Sequence, residues 1–327
     1  MTAHPRAAAA LAATALAAAL ALPAAAQEPA LGPEAIETAE FDGDGLPEGQ
    51  SALTAKLQVL LDRAAISPGV IDGRKGGMTE SALRAFERRE GFPEDGALDA
   101  DVWQALQSDG PALTASYTIT EQDHANIVDS LPEDYARLAE MDWLGYTSAA
   151  EKIAEDFHMD VDFLQAMNPA SSFAVGDEIT VMQPAGRQEG EVARIEIDKP
   201  NSRLVAYDGS GAVLVNYPVA VGSDQTPSPS GTHEVVAVAV EPTYSYLPDT
   251  NFQQGDNDEP LTLPPGPNGP VGLVWIDLSK PTYGLHGTPD PASLFNAQSH
   301  GCVRMTNWDA LELAHLTGQG VTVEFLE

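Results

Sequence analysis

From Glu191 to the C-terminus the sequence runs as short β-branched segments separated by tight turns, with no helical crossover between them. Ala193–Ile197 and Arg203–Tyr207 flank one turn, and Asp208-Gly209-Ser210-Gly211 leads into Val213–Val219. Thr232–Val240 and Gly272–Asp277 continue the series. Asp-Gly turns between such segments write hairpins, whereas a parallel α/β sheet needs a helix between successive strands. A mostly β region is therefore expected over 191–327. One helix follows residue 305: Thr306 is placed to cap it, Leu311, Ala314 and the apolar part of Trp308 face inward, and Gly318 ends it. Val321–Phe325 closes the region as a last strand. Pro242–Pro270, rich in proline and carrying Tyr244, Tyr246 and Phe252, reads as a flap whose aromatics wall a cleft.

This β region holds the only cysteine of the 327-residue chain, Cys302. What that thiol can be depends on the other end of the sequence. Arg6, the Ala/Leu run Ala7–Leu22 and Pro23-Ala24-Ala25-Ala26 match a secretory leader over 1–26, cleaved after about Ala26. The run is shorter than the roughly 20 residues a membrane span needs, and no later stretch is apolar enough. An exported compartment is oxidising, and a lone cysteine there is buried, joined to another chain, or kept for reactivity.

Between leader and β region the chain divides further. Residues 27–50, rich in Ala, Pro, Gly and acids, read as a linker. Residues 51–110 form a small all-α module: Leu53, Leu57, Leu60 and Leu61, then Ala82, Leu83 and Phe86, then Val102, Trp103 and Leu106 recur at helical spacing, with Asp99 capping the last helix. Residues 111–145 read as a connector, with a strand at Tyr117–Thr120 and a helix opening at Leu131–Tyr135. In 146–184, Ser148 and Asp160 are placed to cap two helices, and Val175-Gly176-Asp177 feeds a strand, giving a small α+β module.

The charge balance of 16 basic against 49 acidic residues, −33 net, disfavours binding of polynucleotides or anionic lipid on exposed faces. His124 and His158 have no metal-site spacing around them, and C-x-x-C and H-E-x-x-H are absent. His233 and His315 read as structural. Around Cys302 the picture differs. A thiol near pKa 8.5 is only a few per cent thiolate at neutral pH and needs a base to attack a carbonyl. His300, two positions upstream, and His286, at the end of Thr282-Tyr283-Gly284-Leu285, are both candidates. Gly301 permits the sharp bend that would bring a substrate carbonyl to backbone N–H groups.

Several motifs together resemble a known family. Thr226-Pro227-x-Pro-Ser230-Gly231-Thr232, Asn268-x-Pro270-x-Gly272, His286-Gly287-Thr288 and Ser299-His300-Gly301-Cys302-Val303-Arg304-Met305 resemble the L,D-transpeptidase catalytic domain of the YkuD type. The resemblance implies a sandwich-like, mostly β domain with its site at a sheet edge, and a cysteine that attacks peptidoglycan stem peptides after the third residue. It implies Cys302 as nucleophile and His286 as base. Ser299, His300 and Gly301 would shape the loop, and the N–H groups around Gly301 and Cys302 would hold the oxyanion. Arg304 would bind a stem carboxylate or brace the loop, with Gly287 and Thr288 supporting the histidine; Tyr283 joins these as a substrate-binding candidate. Asp72-Gly73 followed by Thr79-x-x-Ala82-Leu83-x-x-Phe86 resembles peptidoglycan-binding three-helix domains, and Asn168-Pro169 with Val175-Gly176-Asp177 resembles a LysM module. These imply stem peptides and glycan as partners, acylation by carbapenem β-lactams, a periplasmic, wall-associated location and no cofactor. The interval from His286 to Ser299 is slightly shorter than in many relatives, which implies a tighter loop. Hydrolysis by the same site, as an L,D-carboxypeptidase or endopeptidase, and a non-enzymatic wall-binding role are the competing expectations.

Overall fold

The computed structural model describes residues 1–2, 31–107, 110–250, 252–296, 299 and 301–327. The leader expected over 1–26 lies outside them, apart from its first two residues, and so does His300. Leu31–Glu327 forms one unit, and its first half contains helices α1 (Pro33–Glu37), α2 (Ala52–Arg63), α3 (Gly77–Glu90) and α4 (Ala100–Leu106), strand β1 (Thr114–Thr118), helices α5 (Tyr135–Leu138), α6 (Ala149–Asp156) and α7 (Val161–Met167), and strand β2 (Glu178–Met182). Ser51, Asp99, Ser148 and Asp160 each accept a backbone N–H three residues on, opening α2, α4, α6 and α7. Each cap satisfies a donor that the helix leaves unpaired.

Two features differ from the sequence expectation. The 27–50 linker contains α1, whose Ile36 is fully buried and whose Glu37 Oε1 accepts N–H bonds from Leu113 and Thr114. A carboxylate with two fixed donors orders an arm that composition alone reads as loose. The strand that pairs with β2 also lies earlier than expected: it is β1, antiparallel from Thr114↔Met182 to Thr118↔Glu178. The strand-helix-helix-strand unit thus brackets residues 119–148 as an insertion. Leu57, Leu61, Leu83 and Phe86 share one core with Ile153, Phe163, Leu164 and Val181. A three-helix module alone can bury only a small core; here the helical and LysM-like parts pool theirs.

The second half consists of β3 (Arg194–Asp198), β4 (Arg203–Tyr207), β5 (Val213–Pro218), β6 (Gly231–Val240), β7 (Tyr244–Tyr246), β8 (Leu261–Leu263), β9 (Val274–Leu278), β10 (Gly284–His286), β11 (Val303–Arg304), α8 (Asn307–Leu316) and β12 (Thr322–Leu326). The mostly β region takes the form of one curled eight-stranded sheet, ordered β11-β10-β9-β6-β12-β3-β4-β5. β10–β11 and β12–β3 are parallel, and the other pairs antiparallel. Ile195, Ile197, Leu204, Val215, Ile276 and Leu285 face a core covered by α8. Thr306 caps α8 through the Asp309 N–H, as its position predicts. The fully covered positions are Ala310, Leu313 and Leu316, whereas Leu311 and Ala314 are partly buried at the rim of the same core and His315 is exposed.

The proline-rich flap is not structureless. β7 and β8 pair as a short hairpin, and Tyr246 and Leu263 form a third small core with Leu138 and Leu144 from the 119–148 insertion. The Leu144 N–H donates to Pro265 O at 2.9 Å, and the Asn268 N–H donates to Leu144 O at 3.0 Å. Isolated bridges Ile66↔Asn216 and Ile71↔Met159 tie the helical region to β5 and to the α6–α7 turn.

Candidate active site

β10 and β11 run parallel at the sheet edge with Leu285↔Val303 and His286↔Arg304 in register. That register sets Cys302, one residue before β11, beside Gly284. His286, Cys302 and Arg304 line one cavity of ≈ 520 Å³, together with Ser299, Tyr283 and Thr288. Its aromatic walls are Tyr244 and Phe252 from the flap, Trp275 from β9, and Tyr135 from α5. Tyr246, the third flap aromatic, is fully buried in the hairpin core instead.

The His286 ring is buried, and its Nδ1 lies 2.7 Å from Gly287 O. A carbonyl can only accept, so Nδ1 bears the proton and Nε2 is left as the free base. Burial, reinforced by the charge of Arg304, lowers the imidazole to about 4 against the opposing pull of the Gly287 carbonyl. It is neutral at neutral pH. Burial likewise raises the Cys302 thiol above its ordinary value. Sγ lies 3.8 Å from Thr282 O, and Thr282 is a β-branched residue held at φ 73, a strained backbone of the kind found beside functional groups. Both groups therefore rest neutral, a thiol and an imidazole on the wall of one cavity.

The loop entering Cys302 is pinned from within. Ser299 Oγ accepts the Gly301 N–H at 3.1 Å and donates to Cys302 O. The Ser299 N–H donates to Val221 O at 3.1 Å, and Thr226 Oγ1 donates to Ser299 O at 3.2 Å. The Ser299 hydroxyl is therefore engaged inside the loop rather than directed at a substrate. Of the two expected oxyanion donors, the Gly301 N–H is taken up by Ser299, and the Cys302 N–H has no acceptor among the described residues. Gly301, at φ 111, packs where a Cβ would fall 2.8 Å from the Tyr283 ring, so Tyr283 also shapes this loop. Thr288 Oγ1 accepts the Asp290 N–H at 3.3 Å. Arg304, lowered by burial against the charge of Asp290, faces the cavity as its cation.

Trp275 and Tyr135 were not singled out by sequence. Trp275 stacks on His286 with ring centroids 5.6 Å apart and 23° between planes. Its signal lay in phase: within Val274–Leu278 it alternates with the buried Val274, Ile276 and Leu278, placing a large aromatic on the cleft side of the strand. Gly284 makes room for it, since a Cβ there would sit 2.6 Å from the indole and 2.9 Å from Ile276 O. Gly284→Ala is expected to cost about 1–3 kcal/mol by overpacking and to loosen the His286 stack. Thermal melting alongside thiol-acylation rate checks it; wild-type values in both would count against this role for the stack. Tyr135 has no local signal, because only tertiary structure brings the insertion to the cleft.

A family model for the L,D-transpeptidase catalytic domain matches residues 192–324, and one for peptidoglycan binding domains matches 50–106. A Bacillus licheniformis protein carried under the name L,D-transpeptidase YkuD is 33% identical over 177 residues, covering 53% of this chain and 90% of its own length. The chain belongs to the YkuD-type L,D-transpeptidase family. The Bacillus subtilis protein of the same name is 28% identical, covering 52% of this chain and 89% of its own. Among solved structures, an Enterococcus faecium L,D-transpeptidase superposes with a TM-score of 0.32 at 20% identity, over 47% of this chain and 56% of that one. Among the described residues no helix is long and apolar enough to cross a membrane, and no group of three or more His, Cys, Asp or Glu is placed to hold a metal ion.

Proposed function

We propose that this L,D-transpeptidase acts in the periplasm on peptidoglycan stem peptides and forms 3→3 cross-links. The observation that supports the reading best is the sharing of one aromatic-walled cavity by Cys302 and a His286 whose Nε2 is free. In this reading His286 Nε2 takes the thiol proton as Sγ bonds to the carbonyl carbon of the third stem residue. The Cys302 N–H receives the developing oxyanion. Collapse breaks the C–N bond, and His286 returns the proton to the departing D-alanine amine, leaving a thioester. An acceptor amine from a second stem attacks the thioester, gives its proton to His286, and releases the thiol. Arg304 offers the cleft a cation for a stem carboxylate. The peptidoglycan-binding-like and LysM-like parts would hold glycan near the cleft, and a carbapenem would acylate the same thiol.

Mass spectrometry of products from purified disaccharide-tetrapeptide tests this, with wild type and Cys302→Ala side by side. A dimeric muropeptide made only by wild type is the expected result. Tripeptide alone would reassign the enzyme to hydrolysis, and no product from folded wild type would overturn both assignments.

A further inference from the structure

Behind the His286 turn lies a buried link to a residue far outside the catalytic match. Asn307, the first residue of α8, is 1% exposed. Its Oδ1 accepts the Leu273 N–H at 3.1 Å. The same oxygen lies so close to the backbones of Gly272 and Gly287 that a Cβ at either would fall 2.0 or 2.2 Å from it. Its Nδ2 donates to Pro267 O at 3.1 Å and to both carboxyl oxygens of Glu155, at 3.2 and 3.1 Å. The backbone donor on one side and acceptors on the other fix which way the carboxamide points. Glu155 belongs to α6, in the LysM-like part; it is itself 9% exposed and is held from its other side by Tyr146 Oη at 3.1 Å.

The contacts form a continuous chain: Tyr146, Glu155, Asn307, the Gly287 turn, and then His286, whose Nδ1 donates to Gly287 O at 2.7 Å. We propose that Glu155 is a positioning residue for the His286 base. By fixing the Asn307 carboxamide it holds the Gly287 turn, and the Gly287 carbonyl holds the tautomer that frees Nε2. The LysM-like part is thereby a support of the catalytic machinery as well as a candidate wall anchor. A site residue acts through such supports because small displacements of a base weaken proton transfer steeply. This inference rests on the reading of His286 as the base.

The test uses the full chain, with kcat and KM for disaccharide-tetrapeptide and the rate of carbapenem acylation. Glu155→Leu keeps volume but removes the acceptor, and is expected to lower kcat and acylation about ten- to a hundredfold with KM unchanged. Glu155→Gln, which keeps one acceptor oxygen for Asn307, restores most of the rate. Glu155→Leu combined with Asn307→Ala should be no slower than Asn307→Ala alone, since both act through one path. Wild-type kcat in Glu155→Leu, a loss that appears in KM, or multiplying effects in the double variant would overturn the proposal. Should Glu155→Leu fail to fold, Glu155→Asp withdraws the carboxylate by one methylene, and wild-type kcat there would overturn it equally. His286→Ala at the wild-type rate would remove the base assignment itself; His286→Ala inactive beside a fully active Glu155→Leu would remove this inference alone.

Discussion

Alanine at His286 is expected to slow acylation of Cys302 by about 10²–10⁴-fold, the usual contribution of a positioned general base. Intact-protein mass spectrometry during incubation with a carbapenem reads it directly, and Cys302→Ala should gain no mass. The expectation follows from the neutral state of both groups. Burial raises the Cys302 thiol and lowers His286 to about 4, so no preformed thiolate–imidazolium pair carries the reaction without proton transfer. The same values set the pH profile. His286 can accept a proton only while neutral, so the wild-type rate should fall as pH drops through about 4, rather than through the ordinary histidine range near 6.5. An acid limb near 6.5, or an alanine variant that acylates at the wild-type rate, would show that a different group takes the proton.

Thermal stability should decline by about 2–3 kcal/mol between about pH 6.5 and pH 8, a melting shift of roughly 3–5 °C for a unit of this size. The sign comes from groups that keep protons in the fold. Burial raises Glu155 from 4.5 to about 8, against the hydrogen bonds from Asn307 and Tyr146. Burial also raises Asp309 from 3.8 to about 7, against the charge of His158. Over this window the native chain binds protons that the unfolded chain has lost, so stability falls as pH rises. His158 adds in the same direction: Asp62, 3.4 Å away, raises it despite the cost of its burial. His286 acts oppositely, because its lowered value means the unfolded chain binds the extra proton, but mainly between about 4 and 6.5. Above that range His286 offsets the decline by only a few tenths of a kcal/mol, roughly 0.4. Melting curves across this range check it, with Glu155→Gln expected to flatten part of the slope; a midpoint that holds or rises toward pH 8 would contradict the buried-carboxylate account.

Local rules made much of the fold readable. Asp99, Ser148, Asp160 and Thr306 cap helices where their positions say they should, because a cap is decided within four residues. Arg203–Tyr207 is a strand with the limits its pattern suggests. What escaped was non-local. β1 pairs with β2 across an insertion that no local signal spans. Ile36 sits in a segment whose composition reads as linker, and its burial depends on a surface supplied by residues far along the chain. At the site, local reading gave Cys302 with His286 and His300 as candidate bases, the family resemblance chose His286, and the geometry sets Cys302 and His286 on one cavity. Tyr135 and Glu155 reach that neighbourhood only through tertiary packing, so their types, ordinary in their own helices, gave no warning.

The clasp between flap and insertion has an evolutionary consequence. Tyr135 meets Tyr246 and Phe252 edge-on, Gln254 Oε1 accepts the Tyr135 N–H, and Gln254 Nε2 donates back to Glu133 O. Both sides of that clasp must match. A recombination event that grafted residues 191–327 onto a foreign N-terminal half would deliver an orphaned hairpin with its aromatic face uncovered. Compatible changes in the insertion and the flap should therefore be inherited together, because a change on either side of the clasp uncovers the aromatic face of the other.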